Sequence, residues 1–348
     1  MSDLLARLLS ERDYLMADGA IGTNLFAMGL ETGESPEFWN VEAPEKVRAL
    51  HDSFVDAGAD ILITNTFGGN RYRLMLHKAE GRVHELNYAG IKIAREAADA
   101  AGRPVVVAAS MGPTGEIYEP IGTLSMEAAV SAFTEQAIAQ AEAGADVHWI
   151  ETISGREELA AAVEGASVTG LPVVATMTFD TVGKTMMGLS TQDAMKLKQS
   201  ISSQLQASGK TSLLAFGANC GVGPGTLVDS VLGLRSDGNG EEIIVAKGNC
   251  GIPEYQDGEI VYTGTPEIMA DYARLARDAG ARIIGGCCGT SPDHLRTMVE
   301  ALKGYTPRGI PSKEAIESAL GPISATGPSP HTSGDGGGEG RRRGRRRG

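Results

Sequence analysis

The chain is 348 residues long, 42% hydrophobic, with a formal net charge of −13 at pH 7, which is ample for one large core and suits a single big α/β domain. Residues 321–348 carry six arginines against Asp335 and Glu339; removing that +4 leaves −17 on residues 1–320, an acidity that excludes a nucleic-acid binder and fits recognition of small molecules. No run reaches the roughly 18 apolar residues of a membrane span, and residues 1–14 are charged throughout, unlike a secretory signal, so a cytoplasmic protein without membrane contact is expected.

Strand-length apolar runs rich in branched residues recur at 14–20, 60–67, 105–111, 146–153, 172–179, 212–220, 242–250 and 282–288. Between them lie helical patterns at 44–57, 82–101, 126–143, 156–168, 191–207, 266–279 and 292–302, with apolar positions three and four apart. Gly58, Gly144 and Gly280, each within Ala-Gly-Ala, stand where a helix needs a left-handed cap before the next strand. Thr265-Pro266-Glu267 and Ser291-Pro292-Asp293 read as helix starts: a capping hydroxyl, a proline in the first turn and an acid at the positive end of the dipole. Nearly continuous apolar strands alternating with helices predict an α/β fold, a (β/α)8 TIM barrel forming one domain over residues 1–320.

Two stretches fall outside the alternation. Residues 22–43 are too many for an ordinary connection and include Phe26, Phe38 and Trp39, the mark of a functional loop. Residues 321–348 turn to Ser, Gly and Pro and then to Gly-Arg repeats, which predicts a disordered tail.

Reactive groups in such a barrel sit at the carboxyl ends of its strands. That rule selects Asp18, Asn65, Thr66, Glu151, Cys220, Asn249, Cys250, Cys287 and Cys288. Four cysteines without framework spacing argue for metal binding or catalysis rather than disulfides. Cys220 ends the sixth apolar run, and Gly285-Gly286-Cys287-Cys288-Gly289 ends the eighth. Adjacent side chains on a regular strand point apart, so Cys287 and Cys288 share an ion only if the chain turns sharply, and the glycines give that freedom. Three converging thiolates make a soft zinc site with one open position. Cys250 is expected to be a packed thiol, because three ligands already leave the one vacancy that catalysis needs.

A bound metal favours the deprotonated form of a coordinating thiol, whereas three thiolates make it a weak Lewis acid. A substrate thiol therefore suits the vacancy better than a hydrolytic water, and thiol alkylation is expected. Asp18 and Glu151 offer carboxylates for the ammonium of an amino-acid substrate; their plainer alternatives are a helix cap and a surface acid. The six histidines form no His-x-x-x-His pair and lie mainly away from strand ends, so packed or solvated roles are expected. Gly68-Gly69 and residues 221–225 match no phosphate-loop fingerprint and read as tight turns.

Asp18-Gly19-Ala20-Ile21-Gly22-Thr23, Thr64-Asn65-Thr66-Phe67, Gly217-Ala218-Asn219-Cys220 and the Gly285-to-Gly289 run together resemble the homocysteine S-methyltransferase family over about residues 10–304. Within it the chain looks most similar to bacterial betaine-homocysteine methyltransferases. The resemblance implies zinc on Cys220, Cys287 and Cys288, with the sulfur of homocysteine completing the coordination. It places the substrate's amino group near Asp18 and Glu151, with Gly19 and Asn219 also at the substrate, and implies in-line methyl transfer from an onium donor to give methionine. Trp39 resembles the aromatic residue that contacts a quaternary ammonium, with lid packing as its alternative. Gly68 departs from the animal betaine enzyme, which has an aromatic donor contact there; Tyr72 is a candidate substitute. Betaine is the implied donor; S-methylmethionine, a dimethylsulfonio compound or a separate corrinoid protein are alternatives, and a non-catalytic zinc and homocysteine sensor is the rival of another class. The oligomeric state, homo-oligomer included, is left open.

Overall fold

The structure, a computed structural model, describes residues 3–180, 183–211, 213–256 and 259–323. Of the expected disordered tail, residues 321–348, everything beyond Ile323 falls outside the described residues. The strands are β1 Leu15–Met16, β2 Ile61–Ile63, β3 Val106–Met111, β4 Val147–Ile153, β5 Val173–Met177, β6 Leu213–Cys220, β7 Ile244–Gly248, β8 Pro253–Gln256, β9 Glu259–Tyr262 and β10 Ala281–Gly286. Eight of them form one parallel sheet in the order β1-β10-β7-β6-β5-β4-β3-β2. A parallel bridge between Ala17 and Ile61 brings its two edges together, flanked by the Asp60 N–H on the Met16 carbonyl at 2.7 Å and the Asp18 N–H on the Ile61 carbonyl at 3.0 Å. The fold is the expected (β/α)8 TIM barrel.

Helices Pro44–Ala57, Val83–Ala100, Met126–Glu142, Arg156–Ala166, Thr191–Ala207, Pro224–Asp237, Pro266–Asp278 and Pro292–Leu302 follow the barrel strands in turn. The caps read from sequence are formed: Gly58, Gly144 and Gly280 have φ of 104°, 99° and 100°, and the Thr265 and Ser291 hydroxyls accept from the N–H groups of Ile268 and His294. Helix Pro224–Asp237 starts within the stretch 221–225 that reads as a turn; the turn is real, and Pro224 at the first helical position converts it into a start.

Two apolar layers result. Inside the barrel, Trp149, Val106, Val174, Val245 and Ile283 pack together, and helix Leu4–Glu11 closes the amino end by burying Leu5, Leu8 and Leu9 on the same cluster. A larger layer lies between strands and outer helices. Among the described residues no helix is long and apolar enough to cross a membrane.

Candidate metal centre and substrate cavity

Register explains why the cysteines meet. Cys220 on β6 and Gly286 on β10 are both partners of Gly248 on the intervening β7, so three neighbouring strands end level. The Cys287 N–H continues the ladder onto the Gly248 carbonyl at 2.7 Å, after which the chain turns through Gly289 at φ 79°. Asn249 spans the gap: its Oδ1 accepts from the Cys288 N–H at 3.1 Å and its Nδ2 donates to the Gly221 carbonyl at 2.6 Å. Cys220 itself has φ 61°, a conformation that costs a non-glycine residue about 1–3 kcal/mol and concentrates at functional sites.

The outcome is that the sulfurs of Cys220, Cys287 and Cys288 all lie within 4.8 Å of one another. Three sulfurs of a regular tetrahedron with bonds of about 2.3 Å would be roughly 3.8 Å apart, so the set fits a zinc-sized ion. Hydrogen bonds from Cys220 and Cys287 hold the Cys288 thiol down at about 3, and sharing protons with Cys287 and Cys288 drives Cys220 up. Cys250 stands apart, buried, with its thiol on the Gly264 carbonyl at 3.2 Å.

The cluster opens into a cavity of about 400 Å³, within the size range of small-molecule sites. The barrel contributes Ser110, Glu151, Thr152 and Lys247 to its wall, and the segment 22–43 contributes Phe26, Glu34, Ser35 and Glu37. That segment, the expected functional loop, is pinned by Asn65, whose Nδ2 donates to the Pro36 carbonyl at 2.6 Å and to Asn40 Oδ1 at 2.9 Å.

Glu151 lines this cavity and is 8% exposed, with Oε1 accepting from the Ser110 hydroxyl at 2.5 Å. Burial raises its carboxyl to about 7, with the Lys247 ammonium pulling the other way. Asn219 lies behind the wall, where it accepts from Thr152 N–H at 2.9 Å and Thr176 Oγ1 at 2.7 Å and points Nδ2 at Cys287 Sγ, 3.8 Å away. Gly19 is in the wall, and a Cβ there would stand 2.4 Å from the Thr290 carbonyl.

Two expected contacts are placed differently. Asp18 is fully buried behind the wall: its Oδ1 takes Lys247 Nζ at 2.9 Å and its Oδ2 takes the Ile63 N–H at 2.7 Å. Each oxygen thus accepts one hydrogen bond from within the barrel, and Lys247 rather than Asp18 lines the cavity. Trp39 opens a helical turn that carries its ring into the outer core, with Lys46 Nζ 4.2 Å from its centroid. The rings that line the cavity are the phenyls of Phe26 and Phe67 and the imidazole of His77. Tyr72 likewise packs against the core, and the Gly68 N–H donates to Glu37 Oε1 at 2.6 Å. Lys247 is the residue that sequence reasoning passed over, because it lies inside the seventh apolar run; a lone lysine in a strand whose next residues turn polar was the available signal.

The family model of homocysteine S-methyltransferase matches residues 15–302. The chain belongs to the homocysteine S-methyltransferase family. Methionine synthase of Mycobacterium tuberculosis is 30% identical over 317 residues, covering 86% of this chain and 25% of that protein. Methionine synthase of Mycobacterium leprae is 28% identical over 328 residues, covering 88% and 26%. The chain thus spans about a quarter of the length of these curated relatives. Among solved structures, the homocysteine methyltransferase MmuM from Escherichia coli in its metallated form superposes with a TM-score of 0.69 at 26% identity, over 85% of this chain and 98% of that one. Its oxidized form gives 0.70 at 25% identity, over 85% and 99%.

Proposed function

We propose that the chain transfers a methyl group from a small onium donor, betaine foremost, to the thiol of homocysteine, giving methionine and, from betaine, dimethylglycine. The observation that carries this reading is the placement of three mutually close sulfurs in the wall of a cavity that also presents a buried carboxylate and exposed phenyl rings. Family membership and the likeness to a metallated homocysteine methyltransferase support it.

Cys220, Cys287 and Cys288 would hold zinc, which when bound keeps an incoming thiol deprotonated near neutral pH. The chain's own residues do the rest. Glu151 accepts the substrate ammonium and so aims the thiol into the cavity. Phe26 and Phe67, 43% and 37% exposed, offer faces on which an onium group is attracted while its methyl points at sulfur. As the sulfur–carbon bond forms, the carbon–nitrogen bond breaks and its electron pair stays on the departing amine; the thiol proton leaves to solvent. Positioning of the two reactants supplies much of the rate, since bimolecular attack becomes effectively intramolecular.

The test is a donor panel. Zinc-loaded protein is incubated with homocysteine and betaine, S-methylmethionine or a dimethylsulfonio compound, and methionine is followed by mass spectrometry. Turnover with betaine above the others is expected. Zinc and thiol binding without methionine from any donor would make the chain a sensor, and turnover only with a methylated corrinoid protein would replace the direct transfer.

A further inference from the structure

A separate cavity of about 450 Å³ lies at the amino ends of β7 and β10, on the face of the barrel opposite the cysteines. Ile244 lines it, whereas Lys247, further along the same strand, lines the cysteine cavity, so roughly 10 Å of strand divides the two. Arg235, Arg277 and Arg282 share its wall. Of the fifteen arginines within residues 3–323, ten pair with a carboxylate among the described residues, and Arg73, Arg235, Arg277, Arg282 and Arg308 do not. Three of those five therefore meet in one cavity, in a chain whose net charge of −13 makes carboxylates plentiful.

The acids in that wall are engaged elsewhere. Asp278 accepts from the Tyr305 hydroxyl at 2.9 Å and the Arg308 N–H at 2.8 Å. Glu242 accepts from the Asn239 N–H at 3.0 Å and the Gly240 N–H at 3.1 Å, with Lys198 Nζ 3.8 Å away. Among the described residues the three guanidiniums donate only to main-chain carbonyls: Arg235 to Ala279 at 3.5 Å, Arg277 to Ala281 at 3.2 Å, and Arg282 to Leu9, to Arg12 at 2.8 Å and to Asp13 at 3.2 Å. Neutralising the carboxyl ends of helices Pro224–Asp237 and Pro266–Asp278 accounts for a basic residue in each last turn. It does not account for both meeting Arg282, since like charges brought together repel. Burial, with Arg282 and Arg235 pushing the same way and Asp13 opposing, holds Arg277 below the usual guanidinium range. Gly280, at φ 100°, makes the approach possible, because a Cβ there would overlap Arg235 Nη1.

We infer that this cavity binds a phosphate monoester, with the guanidiniums on the phosphate oxygens and Ile244, Pro307 and Ile310 against the organic body. Each guanidinium has five N–H donors in a fork that matches phosphate, and those named above leave most of them for a ligand. A dianion offsets the repulsion among three cations better than a single carboxylate does. The cavity has the volume of a small-molecule site, more than a bare oxyanion fills, and Ile310 is 74% exposed beside it. The inference is independent of the homocysteine reading.

The full-length, zinc-loaded protein, freed of excess zinc, is titrated calorimetrically at constant ionic strength with phenyl phosphate, inorganic phosphate and phenol. The pH is 8, where a phosphate monoester is a dianion. Phenyl phosphate should bind at one site, roughly 5- to 10-fold more tightly than inorganic phosphate, as partial burial of a ring gives, and phenol should give no heat. Arg277→Gln and Arg235→Gln should each weaken phenyl phosphate roughly 10- to 100-fold. Arg73→Gln removes an unpaired guanidinium from the cysteine cavity and Arg296→Gln a surface one; both should leave its affinity within about twofold. If Arg277→Gln does not fold, Arg235→Gln, an exposed position at a helix end, decides. Absence of binding, equal affinity for the two phosphates, an unchanged affinity in Arg235→Gln, or a loss of the same size in Arg73→Gln or Arg296→Gln would overturn the assignment.

Discussion

At the scale of residues, the site's behaviour turns on Glu151. Its burial raises the carboxyl to about 7, and only the ionised form holds an ammonium. If Glu151 takes the substrate ammonium as proposed, the sign follows: homocysteine affinity through this contact is full above that value and is lost as pH falls through it. Glu151→Gln removes the dependence together with the charge. We expect the homocysteine KM of the variant to rise roughly 10- to 100-fold at pH 8, with the donor KM little changed, and its pH profile to be shallower below pH 7 than that of the wild type. Steady-state kinetics with each substrate varied separately checks this; a change confined to the donor KM would move Glu151 to the other subsite. The cysteines were legible because glycines bracket them at strand ends. The pairing of Asp18 with Lys247 was not legible because the lysine sits 229 positions away in sequence, and an ion pair across a barrel leaves no local pattern.

At the scale of elements, what the sequence announced best was periodicity and punctuation: every barrel helix but Pro224–Asp237, and the glycine caps. Helix Leu4–Glu11 was missed because its 8 residues make little more than two turns, too few for a period to stand out, and the β8–β9 hairpin because four-residue strands fall below what periodicity detects. Helix Pro44–Ala57 carries a further consequence. His51 on that helix is fully buried, neither ring nitrogen has a partner among the described residues, and burial lowers its titration to about 4. In the unfolded chain the same imidazole takes a proton near 6.5. The depressed folded value means that the unfolded state binds more protons between about 6.5 and 4, so stability is complete above this window and falls as pH drops through it. Between pH 7 and pH 5 this one group should cost about 2 kcal/mol. Denaturant melts of His51→Leu should therefore show a loss over that interval about 2 kcal/mol smaller than the wild type's; identical losses would show that His51 protonates without unfolding the helix.

At the scale of the whole molecule, a closed ring of parallel strands levels the ends of β6, β7 and β10 and thereby sets three sulfurs at one point. The fold could be read from sequence because eight apolar runs alternate with helices, whereas the lid's inner face could not: segment 22–43 has no period to say that Trp39 turns inward to the core and Phe26 outward to the cavity. Central to the account is that Cys220, Cys287 and Cys288 bind zinc and leave one position for the substrate sulfur. Zinc-edge X-ray absorption on the purified protein, with and without homocysteine, tests this most directly, with Cys250→Ala and Cys288→Ala as companions. The account predicts one zinc per chain with three sulfur neighbours and one lighter neighbour, a fourth sulfur on adding homocysteine, the same pattern in Cys250→Ala, and loss of the metal in Cys288→Ala. No bound zinc, or a set of neighbours that homocysteine leaves unchanged, would contradict it.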